Sequence, residues 1–314
     1  MRPFELIDPL YDDFVRSLSG SLAESARALA VTLRLAPERG IPWSLVFSHE
    51  VTLGAPALLA DGFTGVARPT VEAAVSAHML AVIEAFGTDR ISDRQVPESP
   101  ALVALLAAMR DARDAALARA CGGRQRAVSA YADADRTTRQ AIAREAALLS
   151  AAKPVTFEEY ESVSLGKQAV GFPASVALAQ DVNADARTQE ALVEILTGVW
   201  LGLQMADDVN DWEDDAARIG AWAVVLAGAD PSAPRSALTH AVFESGVLPT
   251  MLARAKHYFR SAERGACSLG ATRLSRWAGE RATEIDALID GEQASPGYVG
   301  RRRSLGAWAA EVLA

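Results

Sequence analysis

The segment Leu201-Gly-Leu-Gln-Met-Ala-Asp-Asp-Val-Asn-Asp-Trp-Glu-Asp-Asp215 holds the residues best placed to do chemistry. Asp207, Asp211 and Asp215 fall at i, i+4 and i+8. Four residues of helix advance about 400°, so these carboxylates form one ridge. Asp208 sits beside it. Like charges at this spacing repel, and a chain tolerates them where the ridge faces water or where cations sit on it. The preceding turns, Ala191 to Met205, are apolar nearly all round. That predicts a buried helix whose acidic end points into a cavity. The negative pole of the helix dipole adds to the cost of anions there. Oxygen donors with room for waters suit Mg2+. A solvated acidic helix end is the plainer alternative.

Asp89 and Asp93 repeat the i, i+4 spacing at the end of another apolar stretch, Val71 to Phe86, which Pro97 closes. Two such ridges facing each other across the mouth of a bundle would clamp a diphosphate through metal ions. Lys167 is one of three lysines against 28 arginines. It stands four residues before Gly171 and six before Pro173. Proline lacks a backbone N–H and clashes with the preceding turn, so a helix break is expected here. A break frees backbone carbonyls, and the lysine stands beside it.

These residues need helices to carry them. The chain has 314 residues, half of them apolar and 23% charged. Alanine dominates the apolar fraction, and β-branched runs are few. The helical period predicts helices at about 9–34, 43–61, 69–93, 99–120, 124–132, 135–152, 156–170, 173–181, 185–217, 219–228, 232–244, 247–265, 268–290 and 302–313. Thr156 before Phe157-Glu158-Glu159 reads as an N-cap. Strand-rich segments, nucleotide-binding glycine loops, a G-x-S-x-G elbow and H-E-x-x-H spacing are all missing. The expectation is an all-α fold, one domain over 1–314, built as a bundle of about a dozen helices around a central cavity.

The net charge of -9 argues against a bulk partnership with nucleic acid or an anionic membrane. Cys121 and Cys267 do not read as a metal pair or a disulfide framework, so a reducing, cytoplasmic setting is expected. The early acids Glu5 and Asp8 do not read as a leader. The nearest approach to a spanning segment, Ile195 to Ala206, is too short to span a bilayer.

The acidic segment resembles the second aspartate-rich motif of the class I isoprenoid synthases, the superfamily of prenyl diphosphate synthases and terpene cyclases. Its 0, +4, +8 spacing is similar to the metal triad of the cyclases, spelled here Asp207, Asp211, Asp215. Thr156 to Pro173 resembles the prenyl-synthase helix that carries a diphosphate-contacting lysine before a break. Gly171 resembles the effector glycine of cyclases. Tyr298-Val-Gly-Arg301-Arg302-Arg303 resembles the basic end that closes over diphosphate, and Arg218 stands near a family lysine position. A solvated face is the plainer reading of Arg254, Lys256 and Arg260. The resemblance implies Mg2+, three ions, held by Asp89, Asp93, Asp207, Asp208, Asp211 and Asp215. It implies Lys167, Gly171, Arg218, Tyr298 and Arg302 in catalysis, and Phe86, Phe172 and Trp200 as the walls of an apolar pocket with cation–π faces.

Two departures shape the expected activity. The first motif is D-x-x-x-D, with Arg90 and Arg94 standing singly where chain-elongating synthases carry an Arg-Arg pair. The N-terminal Gly-Lys-x-x-Arg segment that holds a second diphosphate is missing, Arg39-Gly40 being its nearest remnant. The expectation is therefore a terpene cyclase ionising farnesyl or geranylgeranyl diphosphate. A prenyl diphosphate synthase or a head-to-head prenyltransferase is the alternative. A catalytically silent helical interaction protein is the second. A di-iron carboxylate protein would need Glu-x-x-His pairs, which are not evident. The implied partner is a small prenyl diphosphate, with no nucleic acid and no stable membrane insertion, and with a homodimer left open.

Overall fold

Helix-forming residues account for nearly all of the backbone. The structure is a computed structural model that describes residues 3–294, apart from Ser48, Ala152 and Ile219. Its α-helices are α1 (Pro3–Ser17), α2 (Gly20–Arg27), α3 (Leu29–Thr32), α4 (Trp43–Val46), α5 (Glu50–Leu59), α6 (Arg68–Ser92), α7 (Pro100–Cys121), α8 (Arg124–Leu149), α9 (Phe157–Lys167), α10 (Pro173–Asp181), α11 (Ala186–Ala216), α12 (Trp222–Leu226), α13 (Arg235–Glu244), α14 (Val247–Leu269) and α15 (Thr272–Ala294). Short 3-10 turns lie at Ala60–Gly62 and Ala169–Gly171. No strand occurs among the described residues, so the all-α expectation holds.

The expected helix over 9–34 is three helices in the structure. Gly20 takes a left-handed φ of +48°, which ends continuous winding after α1. The expected pair 124–132 and 135–152 is one helix, α8, because no glycine or proline interrupts it. The expected helix 302–313 lies outside the described residues.

Contacts divide the described chain into two units. The first takes residues up to Thr138, Gln168–Val193 and Ala266–Leu274. Its centre is α6, which packs on α1, α5, α7 and α10. Met79, Leu80 and Ile83 of α6 join Leu105 and Met109 of α7 and Tyr11 of α1 in one core cluster. By length and composition α6 could cross a membrane. Its apolar window is mostly buried among neighbouring helices, which marks a core helix. Ser99 caps α7 by accepting from Leu102 N at 3.2 Å, with Pro100 in the first turn.

The second unit takes Arg139–Lys167, Glu194–Gly265 and the described residues from Ser275. Small residues let α11 and α14 approach closely. A Cβ on Gly198 would stand 2.7 Å from the Tyr258 carbonyl oxygen, and one on Gly202 would meet the Phe259 ring at 2.8 Å. Phe259 packs edge-on against Trp277 of α15, and Trp212 against Phe243 of α13. α9 begins with a capping box: Glu159 N donates to Thr156 Oγ1 at 3.2 Å, and Thr156 N donates to a Glu159 carboxylate oxygen at 3.1 Å. The N-cap expected at Thr156 is present.

Candidate active site

α11 carries the acidic ridge of the second unit. Its apolar turns are buried through Leu201 and Met205, and the helix runs unbroken to Ala216. Asp207, Asp211 and Asp215 therefore do stand one turn apart on a single helix. Asp207 is exposed, while Asp211 and Asp215 are half-buried. Burial, and then the nearby Asp211 and Asp207, push the Asp215 carboxyl up to about 6. Arg218 follows the helix end, is exposed, and lies 3.9 Å from Asp214.

Asp208 has a different environment. It is 7% exposed. The Tyr160 hydroxyl of α9 donates to one carboxylate oxygen at 2.6 Å, and Gln204 Nε2 donates to the other at 2.9 Å. Burial pushes its carboxyl up to about 8 despite these two donors, with Asp207 and Glu145 adding to the rise. Both of its oxygens are thus engaged by side chains, one of them the buried Tyr160.

This difference has a measurable consequence. Between the ordinary carboxylate range and about pH 8, folded Asp208 keeps a proton that the unfolded chain releases. The folded state then binds more protons, so stability falls as pH rises through that window. Asp208→Asn removes the titration. In chelator, the variant should gain on the wild type by a few kcal/mol between about pH 5 and about pH 8.5. Urea unfolding at the two pH values measures it, and a gap that does not widen with pH would refute the assignment.

α9 ends at Lys167, three residues short of the expected end, because Pro173 starts α10 and the intervening backbone winds as a 3-10 turn. Lys167 thus sits at a helix C-terminus, where the dipole favours a cation. Its ammonium donates to Glu145 of α8 at 2.5 Å. The other Glu145 oxygen accepts from Trp222 Nε1 of α12 at 2.9 Å. The Trp222 ring meets the Tyr160 ring edge-on, with centroids 5.0 Å apart. Three side chains, Glu145, Trp222 and Tyr160, therefore link Lys167 to Asp208. Sequence reading singled out both ends and passed over Glu145, Trp222 and the role of Tyr160. A usable signal existed for Tyr160, because it stands seven residues before Lys167 and so shares its face of α9.

The first unit holds Phe86, Asp89, Asp93, Gly171 and Phe172. Asp89 lies in the last turn of α6 and Asp93 is its C-cap, where Asp93 N donates to Asp89 O at 2.8 Å. Arg94 then turns left-handed at φ +56° and stops the helix. Phe86 packs on Phe47 with centroids 5.0 Å apart, at the edge of the core cluster. Gly171 is buried, and Phe172 is half-buried between the 3-10 turn and α10. His78 is fully buried, which pushes its imidazole down to about 4, and its Nε2 lies 3.0 Å from the Thr52 carbonyl oxygen. Trp200 belongs to the second unit and is buried. Tyr298 and Arg302 lie outside the described residues. The basic face of α14 is paired, Arg254 with Glu161, Lys256 with Asp286 and Arg260 with Glu263.

Among the described residues no group of three or more His, Cys, Asp or Glu side chains converges on a metal position. Mg2+ does not require such a cage. It keeps several waters and is held by one or two carboxylates together with substrate phosphates. The oxygen-only ridge, with Asp215 raised in part by its own neighbours, fits a cation of that kind.

No family model matches the sequence, and no curated protein matches it. Solved structures do match its fold. A polyprenyl synthetase from Streptomyces coelicolor A3(2) superposes with a TM-score of 0.71 at 18% identity, covering 89% of this chain and 97% of that one. A geranylgeranyl pyrophosphate synthase from Lactobacillus brevis gives 0.71 at 12% identity, covering 89% and 96%. A polyprenyl synthase from Caulobacter crescentus, complexed with calcium and isoprenyl diphosphate, gives 0.60 at 14% identity, covering 87% and 97%. The chain has the all-helical, isoprenoid synthase-type fold of these polyprenyl synthases.

Proposed function

We propose that this protein is an enzyme of prenyl diphosphate chemistry, and that its reaction is prenyl transfer, the elongation of an allylic diphosphate. The observation that carries the reading is the carboxylate ridge Asp207, Asp211, Asp215 at the end of a buried helix, tied through Asp208 and Glu145 to the Lys167 ammonium. Solved neighbours that share the fold over nearly their whole length, and whose names are those of polyprenyl and geranylgeranyl diphosphate synthases, favour elongation over the cyclisation expected from sequence.

In this reading Asp207, Asp211 and Asp215 would hold Mg2+. The ions, three by the resemblance, supply charge neutralisation that makes diphosphate a leaving group. Lys167 adds charge-assisted hydrogen bonds to the diphosphate oxygens. Tyr160 and Gln204 engage both oxygens of Asp208, which leaves metal binding to the ridge. Trp200 is an apolar face assigned to the prenyl chain, where exclusion of water protects a carbocation. A second reading, the cyclase, is favoured by one observation. Arg90 and Arg94 stand singly and the Gly-Lys-x-x-Arg segment is missing, so the residues recognised serve one diphosphate.

Incubation with geranyl, farnesyl and geranylgeranyl diphosphates and Mg2+, each with and without isopentenyl diphosphate, separates the two. Elongation yields a longer diphosphate only when isopentenyl diphosphate is present. A hydrocarbon or alcohol released without it selects the cyclase. No turnover of any combination would overturn both.

A further inference from the structure

Glu145 lies in none of the motifs and contacts none of the ridge residues by hydrogen bond, yet both of its oxygens are engaged. One accepts from Lys167 and the other from the indole N–H of Trp222. The Glu145 and Lys167 side chains are 14% and 18% exposed, and Trp222 is 4% exposed. An ion pair that only neutralised a half-buried lysine would need no third partner. Here the carboxylate is held from behind by a buried ring, which is itself packed edge-on against Tyr160. Glu145 therefore cannot follow Lys167 as the lysine moves; it sets where the ammonium stands.

A lysine has a flexible four-carbon stem, and fixing it costs side-chain entropy. When a carboxylate fixes it beforehand, ligand binding does not carry that cost. We propose that Glu145, anchored by Trp222, is a positioning residue that holds the Lys167 ammonium where it meets the diphosphate of the substrate. This rests on the prenyl diphosphate reading above.

The test uses the full chain as wild type, Glu145→Gln, Trp222→Phe, Lys167→Ala and the Glu145→Gln/Lys167→Ala double variant. Calorimetric titration with inorganic diphosphate and Mg2+ gives Kd, and steady-state kinetics with the allylic diphosphate gives KM and kcat. Glu145→Gln should raise Kd and KM about tenfold with a smaller change in kcat, as for other residues that orient a ligand-binding group. Trp222→Phe should act in the same direction and more weakly, and it carries the test if Glu145→Gln does not fold. In the Lys167→Ala background Glu145→Gln should add nothing, since a residue acting through another has no effect without it. An equal additional loss in that background overturns the proposal. So does tighter diphosphate binding by Glu145→Gln, which would make Glu145 a competitor. If Lys167→Ala weakens binding and Glu145→Gln does not, positioning fails while the functional reading stands. If the wild type neither binds diphosphate nor turns over a prenyl diphosphate, the functional reading fails and takes this inference with it.

Discussion

Asp207→Ala and Asp211→Ala each lower kcat/KM for the allylic diphosphate by about a thousandfold while the protein keeps its fold. Charge stabilisation by a held metal is worth several kcal/mol, and about 4 kcal/mol corresponds to that factor. The structural cost is small, because Asp207 is exposed and Asp211 half-buried on a helix. Alanine winds there more readily than aspartate, and each substitution removes a like-charge neighbour. Melting temperature should therefore hold or rise while activity falls. Higher Mg2+ should recover part of the loss. Steady-state kinetics across a Mg2+ series, alongside thermal melts, makes the measurement. Unchanged rates, or a rate loss matched by a lower melting temperature, would remove the ridge from the mechanism.

Arg113→Met destabilises the protein by about 3–5 kcal/mol, the range for breaking one side of a buried ion pair. Arg113 of α7 is 2% exposed. It makes two hydrogen bonds to Asp135 of α8, at 2.9 and 3.0 Å, and one to Asp114 at 3.0 Å. It also lies 3.9 Å from the buried Glu84 of α6 and 4.1 Å over the Tyr131 ring. Methionine keeps much of the stem but leaves Asp135 without the charge that compensates it, while Glu84 keeps Arg110 at 2.8 Å. Urea unfolding measures the effect as a lower midpoint at constant slope. A loss below about 1 kcal/mol would put the network on the level of a surface pair.

Several features of this fold were legible because they are local. Alanine content and the helical period predict the helices, Thr156 and Glu159 spell the cap of α9, and Pro173 spells the break after it. Boundaries were read less well where two signals compete. The break expected at 133–134 does not occur, because without glycine or proline the winding continues. In α1, Pro9 sits inside the helix, and the turn that ends it needs the left-handed backbone of Gly20.

The same division runs through the site. The ridge follows from sequence alone, since a spacing of four residues returns to one face of any α-helix. The special position of Asp208 does not, because Tyr160 is 48 residues away. Glu145 is farther from view still, with its two partners 22 and 77 residues distant. Sequence by itself determined that the chain is helical and that three carboxylates share a ridge, because backbone period and capping act over a few residues. Only the tertiary structure decided which carboxylate is buried against a tyrosine and which holds the lysine. Desolvation and pairing depend on neighbours that folding brings from far along the chain, and those set both the charge a group carries and where it points.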